Sequence, residues 1–129
     1  MEKQIVVCII KNKKRELLLQ KKTLDYPPYP GAWSVIGGEA ESENLHKEME
    51  REIKEEIGIK LKPKFIFKEK ATLKRGKSIF YVFSAKLNEI SRIKIGEGAG
   101  VAFFSKKELK KLNINPESKK ILNIYLNKF

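Results

Sequence analysis

Four glutamates crowd one side of a single predicted helix. Glu52, Glu55 and Glu56 fall within a narrow face at about 100° per residue, and Glu48 lies one turn earlier. Like charges at this spacing destabilise a helix in water. Hard divalent cations such as Mg²⁺ and Mn²⁺ prefer carboxylate oxygens, so they reverse that repulsion. The spacing therefore predicts a site for a divalent metal ion.

The glutamates belong to a longer pattern that runs from Gly37 to Ile59, GGEAESENLHKEMEREIKEEIGI. It matches G-x5-E-x7-R-E-U-x-E-E-x-G-U, where U is a bulky apolar residue, without a mismatch. The chain resembles the Nudix (MutT-like) hydrolases, a family that cleaves a nucleoside diphosphate linked to another group. A weaker similarity to the G-x-W-x-L-P-G-G run of the same family extends upstream to Gly31.

Two departures from the family pattern lie just before the predicted helix. Ile36 stands where the family usually has Pro, which leaves the turn into the loop less rigid. Gly37, rather than Gly38, has the required spacing to Glu43. The resemblance implies a backbone carbonyl ligand for the metal in this stretch. Ile36, Gly37 and Gly38 are the candidates, and Gly37 is assigned as the head of the pattern.

The resemblance also implies roles for the side chains. Glu52, Glu55 and Glu56 are expected to bind Mg²⁺ or Mn²⁺, which neutralises phosphate charge and lowers the pKa of a bound water. Glu52 is also the candidate general base. Arg51 is assigned to the catalytic machinery as the residue that orients Glu52 or the loop through hydrogen bonds. Glu43 can act in catalysis or simply favour the positive end of the helix dipole.

Five further candidates lie outside this pattern. Tyr26 and Tyr29, on a proline-stiffened loop, can stack on a base or cover the edge of the sheet. Lys21 and Lys22 follow an apolar strand and can approach phosphate. Glu97 lies between two glycines and is a candidate metal ligand or base, with an exposed loop glutamate as the alternative.

Apolar patterning predicts the elements that must position these residues. Strands are expected over 3–10, 16–21, 33–36, 61–73, 78–87 and 101–104. Helices are expected over 43–57, after Ser105 and after Asn115. This order indicates a single α/β domain over 1–129, and the resemblance implies an α/β/α sandwich around a mixed β-sheet.

The apolar run and the single cysteine indicate the cellular compartment and argue against one reaction class. The longest apolar run, Ile5 to Ile10, is far too short to span a bilayer, so no membrane segment and a cytoplasmic location are expected. The single cysteine, Cys8, lies in that run and reads as a buried apolar residue. An isoprenoid diphosphate isomerase, a third possibility on the same fold, is therefore a poor match, because it would need a catalytic Cys paired with Glu.

The net charge of +12 favours polyanionic partners such as nucleotides. The lysines are dispersed along the chain without interleaved aromatic residues, so a nucleic acid is not the expected partner. The expected partner is a small nucleotide substrate, and a homodimer is left open as the assembly.

The expected function is Mg²⁺-dependent hydrolysis of the pyrophosphate linkage of a nucleoside triphosphate or another nucleoside diphosphate derivative, including the removal of oxidised nucleotides. The window 74–77, KRGK, lacks the Pro or Tyr that the resemblance associates with ADP-ribose and dinucleoside polyphosphate subgroups, which favours triphosphates. The alternative is a non-catalytic nucleotide-sensing or RNA-associated module. The complete set of carboxylates counts against that alternative.

Overall fold

The computed structural model describes residues 2–25, 29–73, 76–88 and 99–129. Strands and helices follow the order that patterning predicts, except that two short strands replace the one expected over 33–36. The strands are β1 Lys3–Lys11, β2 Leu17–Lys21, β3 Trp33–Ser34, β4 Ile36–Glu39, β5 Lys64–Leu73, β6 Gly76–Lys86 and β7 Gly100–Phe104. The helices are α1 Leu45–Ile57, α2 Lys106–Leu109 and α3 Pro116–Lys128. Within the described residues, no helix is long and apolar enough to cross a bilayer.

β1 organises a mixed sheet. It pairs in parallel with β6 and antiparallel with β4, and it meets β2 through Lys11 and Leu17. The order along the sheet is β3-β2-β1-β6-β5, with β4 beside β1 and β7 beside β2. Among the described strands, β5 pairs with β6 at the end of this order and is therefore an edge strand. β1 is buried from Ile5 to Ile10, as expected of a strand covered on both faces.

Successive residues of β1 face opposite sides of the sheet, and a helix covers each side. One buried cluster joins β1 to α3 through Ile5, Val7, Ile9, Ile121, Leu122 and Tyr125. The other joins β1 to α1 through Val6, Cys8, Ile10, Met49, Ile53 and Ile57. The α/β/α sandwich around a mixed sheet is thus confirmed.

Side-chain caps set the ends of the helices. α1 begins at Leu45 because Asn44 accepts a hydrogen bond from the Lys47 N–H, two residues later than the expected start. Gly58 ends α1 in the left-handed conformation, with φ of 67°. The caps predicted at Ser105 and Asn115 are both present.

The turn expected directly after Ile36 is wrong in one respect, because Gly37 and Gly38 lie inside β4. They pair with Val7 and Val6 of β1. A Cβ on Gly37 would collide with the Val6 carbonyl oxygen and lie 2.7 Å from the Val7 Cα, so this close backbone approach requires glycine. Glycine has a low strand propensity, which is why the sequence pattern indicated a turn.

Candidate active site

α1 buries an acidic stripe beside its apolar stripe. Glu48, Glu52 and Glu56, here called the acidic stripe, recur every four residues and are 7%, 9% and 1% exposed. They directly precede the buried apolar residues Met49, Ile53 and Ile57 in the chain, so the two stripes adjoin along the helix. Burying a carboxylate costs free energy unless it is paired or bonded. The acidic stripe therefore needs cationic or hydrogen-bonding partners.

Arg51 supplies part of that compensation. Its Nη2 lies 3.0 Å from Glu48 Oε1 and 3.1 Å from Glu52 Oε1, and its Nη1 lies 3.0 and 2.9 Å from the two oxygens of Glu55. The hydrogen bond to Glu48 is the main cause that raises the pKa of Arg51, so the guanidinium stays charged. The hydrogen bond expected from Arg51 to Glu52 is present. A catalytic role for Arg51 stays a prediction.

Glu48 anchors the loop that leads into α1. Its carboxylate accepts hydrogen bonds from the Glu41 N–H at 2.6 Å and from the Ser42 hydroxyl at 3.2 Å. The Glu41 bond, followed by the bond from Arg51, lowers the pKa of Glu48. The sequence pattern placed Glu48 on the acidic face but carried no signal for this loop contact.

Glu52 is held on its other side by β4. A Cβ built on Gly38 would lie 2.7 Å from Glu52 Oε1 and 2.8 Å from Oε2. The carboxylate therefore occupies the space that any larger residue at position 38 would need. Gly38 and Arg51 together fix the position of the candidate general base.

The donor set suits a hard divalent cation, because it consists of carboxylate oxygens close to the backbone of β4. In the described part of the chain, no three His, Cys, Asp or Glu side chains are arranged to hold a metal ion as they stand. Arg51 instead engages Glu55, whose side chain is 49% exposed. Metal binding by Gly37, Glu52, Glu55 and Glu56 stays a prediction.

A cavity of about 290 Å³ adjoins this region on the α3 side of the sheet. Apolar side chains of the sheet form one part of its wall, namely Ile5, Val7, Val35 and Phe80. Polar residues and β4 backbone form the rest, namely Lys22, Tyr29, Ser34, Gly37, Gly38, Glu39, Asn115, Glu117 and Ser118. The cavity thus combines apolar walls with hydrogen-bonding groups and lies next to the β4 glycines.

Two of the predicted substrate-binding residues line this cavity. Lys22 and Tyr29 both do so, and Lys22 Nζ donates to Gln20 Oε1 at 3.2 Å. Lys21 is not among the described residues that line it, and its Nζ lies 6.0 Å from the centre of the Trp33 ring. Tyr26 and Glu97 lie outside the described residues.

The amino end of α3 closes the cavity, a feature that the sequence pattern missed. Asn115 Oδ1 accepts from the Ser118 N–H at 2.8 Å, and Ser118 Oγ accepts from the Val35 N–H at 3.1 Å. Trp33 pairs with the same loop, accepting from the Asn115 N–H at 3.0 Å. The pattern Asn115-Pro116 predicts the cap, but long-range pairing decides that this cap and Glu117 reach the cavity.

Comparisons with known proteins agree with this architecture. A family model described as the NUDIX domain matches residues 1–123. The nucleoside triphosphatase NudI of Klebsiella pneumoniae subsp. pneumoniae is 36% identical over 61 residues, which cover 47% of this chain and 44% of that protein. The match therefore spans less than half the length of this relative.

Two solved structures share the fold over nearly the whole chain. The MutT protein of Methanosarcina mazei Go1 has a TM-score of 0.81 at 22% identity, covering 99% of this chain and 96% of its own. The NUDIX domain of Shewanella oneidensis NrtR, solved with ADP ribose, has a TM-score of 0.84 at 13% identity, covering 99% and 88%. With the family model matching nearly its full length, this chain belongs to the NUDIX domain family.

Proposed function

We propose that this protein is a divalent-metal-dependent pyrophosphohydrolase of a nucleoside triphosphate or another nucleoside diphosphate derivative. One observation carries the proposal: Glu52, in the buried acidic stripe of a complete Nudix signature, lies against Gly38, which also lines a polar and apolar cavity. The cytoplasmic location expected from composition is part of the same proposal.

The acidic residues of α1 would take two roles, metal binding and proton transfer. Glu52, Glu55, Glu56 and the Gly37 carbonyl would hold Mg²⁺ or Mn²⁺, which when bound supplies charge neutralisation and a water of lowered pKa. Glu52 is the candidate to accept the proton of that water, since Arg51 and Gly38 fix its carboxylate.

The cavity is the proposed site for the nucleoside. Its volume, about 290 Å³, is near the lower end for small-molecule sites, and its mixture of apolar walls and few polar groups is typical of them. Tyr29 offers an aromatic surface for the base, and Lys22 offers a cation for phosphate. Tyr26 and Glu97 stay candidates for the same site.

A triphosphate is the favoured substrate class. The relative from Klebsiella bears the name nucleoside triphosphatase, and residues 74–77 lack the Pro or Tyr expected of the other subgroups. The removal of oxidised nucleotides is one physiological form that this activity would take.

A substrate panel tests the proposal. The purified protein is incubated with nucleoside triphosphates, oxidised triphosphates, dinucleoside polyphosphates and ADP-ribose, with Mg²⁺, Mn²⁺ or EDTA, and released phosphate and pyrophosphate are measured. We expect metal-dependent release from at least one triphosphate, and its loss by a hundredfold or more in Glu52→Gln and Glu56→Gln, as is common when a catalytic carboxylate is removed (about 10²–10⁴).

Glu50→Gln is the matched control, because Glu50 lies on α1 but faces His46, with Glu50 Oε1 3.6 Å from His46 Nδ1. This variant should keep the parent rate. If no substrate is cleaved and calorimetry still shows nucleotide binding, the protein is a binding module and the hydrolase proposal is wrong. Parent-level turnover by Glu56→Gln would contradict the metal assignment.

A further inference from the structure

Part of the positive charge lies close together in one segment. Residues 60–77 contain eight Lys or Arg and one Glu, a net +7 within a chain of net +12. The same segment contains Phe65 and Phe67. It spans β5 and the start of β6, so most of it lies at one side of the sheet.

Residues of this segment form a mixed aromatic and basic surface. Lys68 pairs directly with Tyr81, and Lys70 pairs with Ile79, so each pair projects from the same face of the sheet. The centres of the Phe65 and Tyr81 rings are 6.4 Å apart, and Phe65 is 48% exposed. We call Phe65, Lys68, Lys70, Ile79 and Tyr81 the β5 platform.

The β5 platform lies on the opposite side of the sheet from the cavity. Tyr81 follows Phe80 in β6, and Phe80 lines the cavity. Because side chains alternate between faces, Tyr81 lies on the α1 side, as does Phe83, which packs with α1 and contacts Phe65 at 5.7 Å between ring centres. A ligand on the platform would therefore leave the cavity open.

Edge protection explains only part of this surface. Lysines on an edge strand discourage pairing with another chain, which accounts for exposed Lys68 and Lys70. It does not account for Phe65, because a half-exposed aromatic ring beside them adds to the risk of association. Aromatic rings among cations are instead the combination that holds single-stranded nucleic acids, by base stacking and phosphate attraction.

We propose that the β5 platform binds single-stranded RNA, with a base stacked on Phe65 and phosphates near Lys68 and Lys70. Exposed Lys68 and Lys70 give the platform the positive charge that attracts a phosphate backbone, and RNA commonly presents unpaired bases for stacking in its loops, bulges and ends. This binding goes beyond the proposed hydrolysis, because it uses another face of the protein.

Fluorescence anisotropy tests the platform with a 5′-fluorescein 12-nucleotide RNA of mixed, unpaired sequence. Phe65→Leu, which keeps an apolar residue but removes the ring, should weaken binding about fivefold or more, whereas Phe65→Tyr should keep it. Lys68→Gln/Lys70→Gln should weaken binding and lower the slope of log K against log salt by about 1.4. Nucleotide hydrolysis should stay unchanged in all three variants.

Lys110→Gln/Lys111→Gln is the matched control, since both lysines are exposed and lie after α2. This variant should bind RNA nearly as the parent does. Equal weakening by both lysine pairs, or parent-level binding by Phe65→Leu, would overturn the proposal in favour of general charge attraction. Tighter binding of the matching DNA strand would overturn RNA as the occupant. A parent dimer that Phe65→Leu converts to a monomer would show a subunit interface instead.

Discussion

Gly38 and Glu52 share a space that has room for a carboxylate but not for an added methyl group. All three heavy atoms of the Glu52 carboxyl group lie 2.7–2.8 Å from the place where a Cβ on Gly38 would be. β4 and α1 thus meet through the candidate general base, which makes the glycine part of the site geometry.

Gly38→Ala should therefore displace Glu52 and lower hydrolysis at least tenfold, since a displacement of about 1 Å can cost a hundredfold in rate. It should also lower the melting temperature. Adding Glu52→Asp shortens the side chain and should recover part of that stability without recovering activity. Calorimetry and kinetics on the double-mutant cycle measure both effects. Additive losses of stability would show that the two residues do not compete for space.

Arg51→Lys should lower kcat more than it changes KM. The planar guanidinium reaches Glu48, Glu52 and Glu55 at 2.9–3.1 Å, and a single ammonium cannot hold three carboxylates in the same geometry. Steady-state kinetics at saturating metal measure the change, with Lys54→Arg on the exposed side of α1 as the control. An unchanged kcat would show that Arg51 does not position Glu52.

Asn115→Ala should lower the free energy of unfolding by about 1 kcal/mol, the usual effect of losing a helix N-cap. The Asn115 side chain accepts from the Ser118 N–H, and Ser118 in turn holds Val35 beside the cavity. Urea unfolding measures the loss. Asn123→Ala, at an exposed position of the same helix, should change the stability by only a few tenths of that amount. Equal losses of stability in the two variants would show that the Asn115 cap does not stabilise the helix.

The Cys8 thiol should react slowly with a disulfide reagent in the folded protein. It is fully buried, and burial raises the pKa of its thiol far above the usual range, so little reactive thiolate forms. Reaction with a disulfide reagent at pH 8 should be at least about a hundredfold slower than in denaturant. Leu24→Cys, at a position that is 84% exposed, should add a thiol that reacts at once, and it serves as the control.

Glu108 should make a stabilising contribution that acid removes. Hydrogen bonds lower the pKa of Glu108 in the folded state, with the bond from the Ser105 N–H as the larger cause and the bond with the Ser105 hydroxyl as the smaller one. A lowered carboxyl pKa stabilises the fold fully above the unfolded pKa, about 4.3, and this contribution is lost as pH falls through the folded pKa. Glu108→Gln keeps the cap but not the charge. The amount by which it lowers the free energy of unfolding, measured in urea, should therefore be smaller at pH 3 than at pH 7. A constant deficit would contradict the ionic contribution.

Local sequence signals predicted the end of α1 and the caps of α2 and α3, although α1 begins two residues later than expected. Gly58, Ser105 and Asn115 act through their own side chains or backbone freedom, within three or four residues of the atoms that they satisfy. The acidic cluster on α1 was likewise readable, because helical spacing alone places its members on one side.

Long-range pairing decided what the sequence pattern did not predict. Gly37 and Gly38 join a strand because β1 approaches them closely, and Glu117 reaches the cavity because Trp33 pairs with the loop before α3. The concentration of charge near Phe65 was present in the sequence, but cross-strand register was needed to show which lysines share its face.

The parallel register of β1 and β6 has a consequence for folding during translation. Lys3 pairs with Ser78 and Lys11 with Lys86, so each residue of β1 pairs with a residue of β6 that is translated 75 residues later. Until then the apolar run from Ile5 to Ile10 leaves the ribosome without that neighbour, and such separated pairing slows folding and prolongs exposure. Nascent chains that end before β6 are therefore the species that chaperones would have to shield.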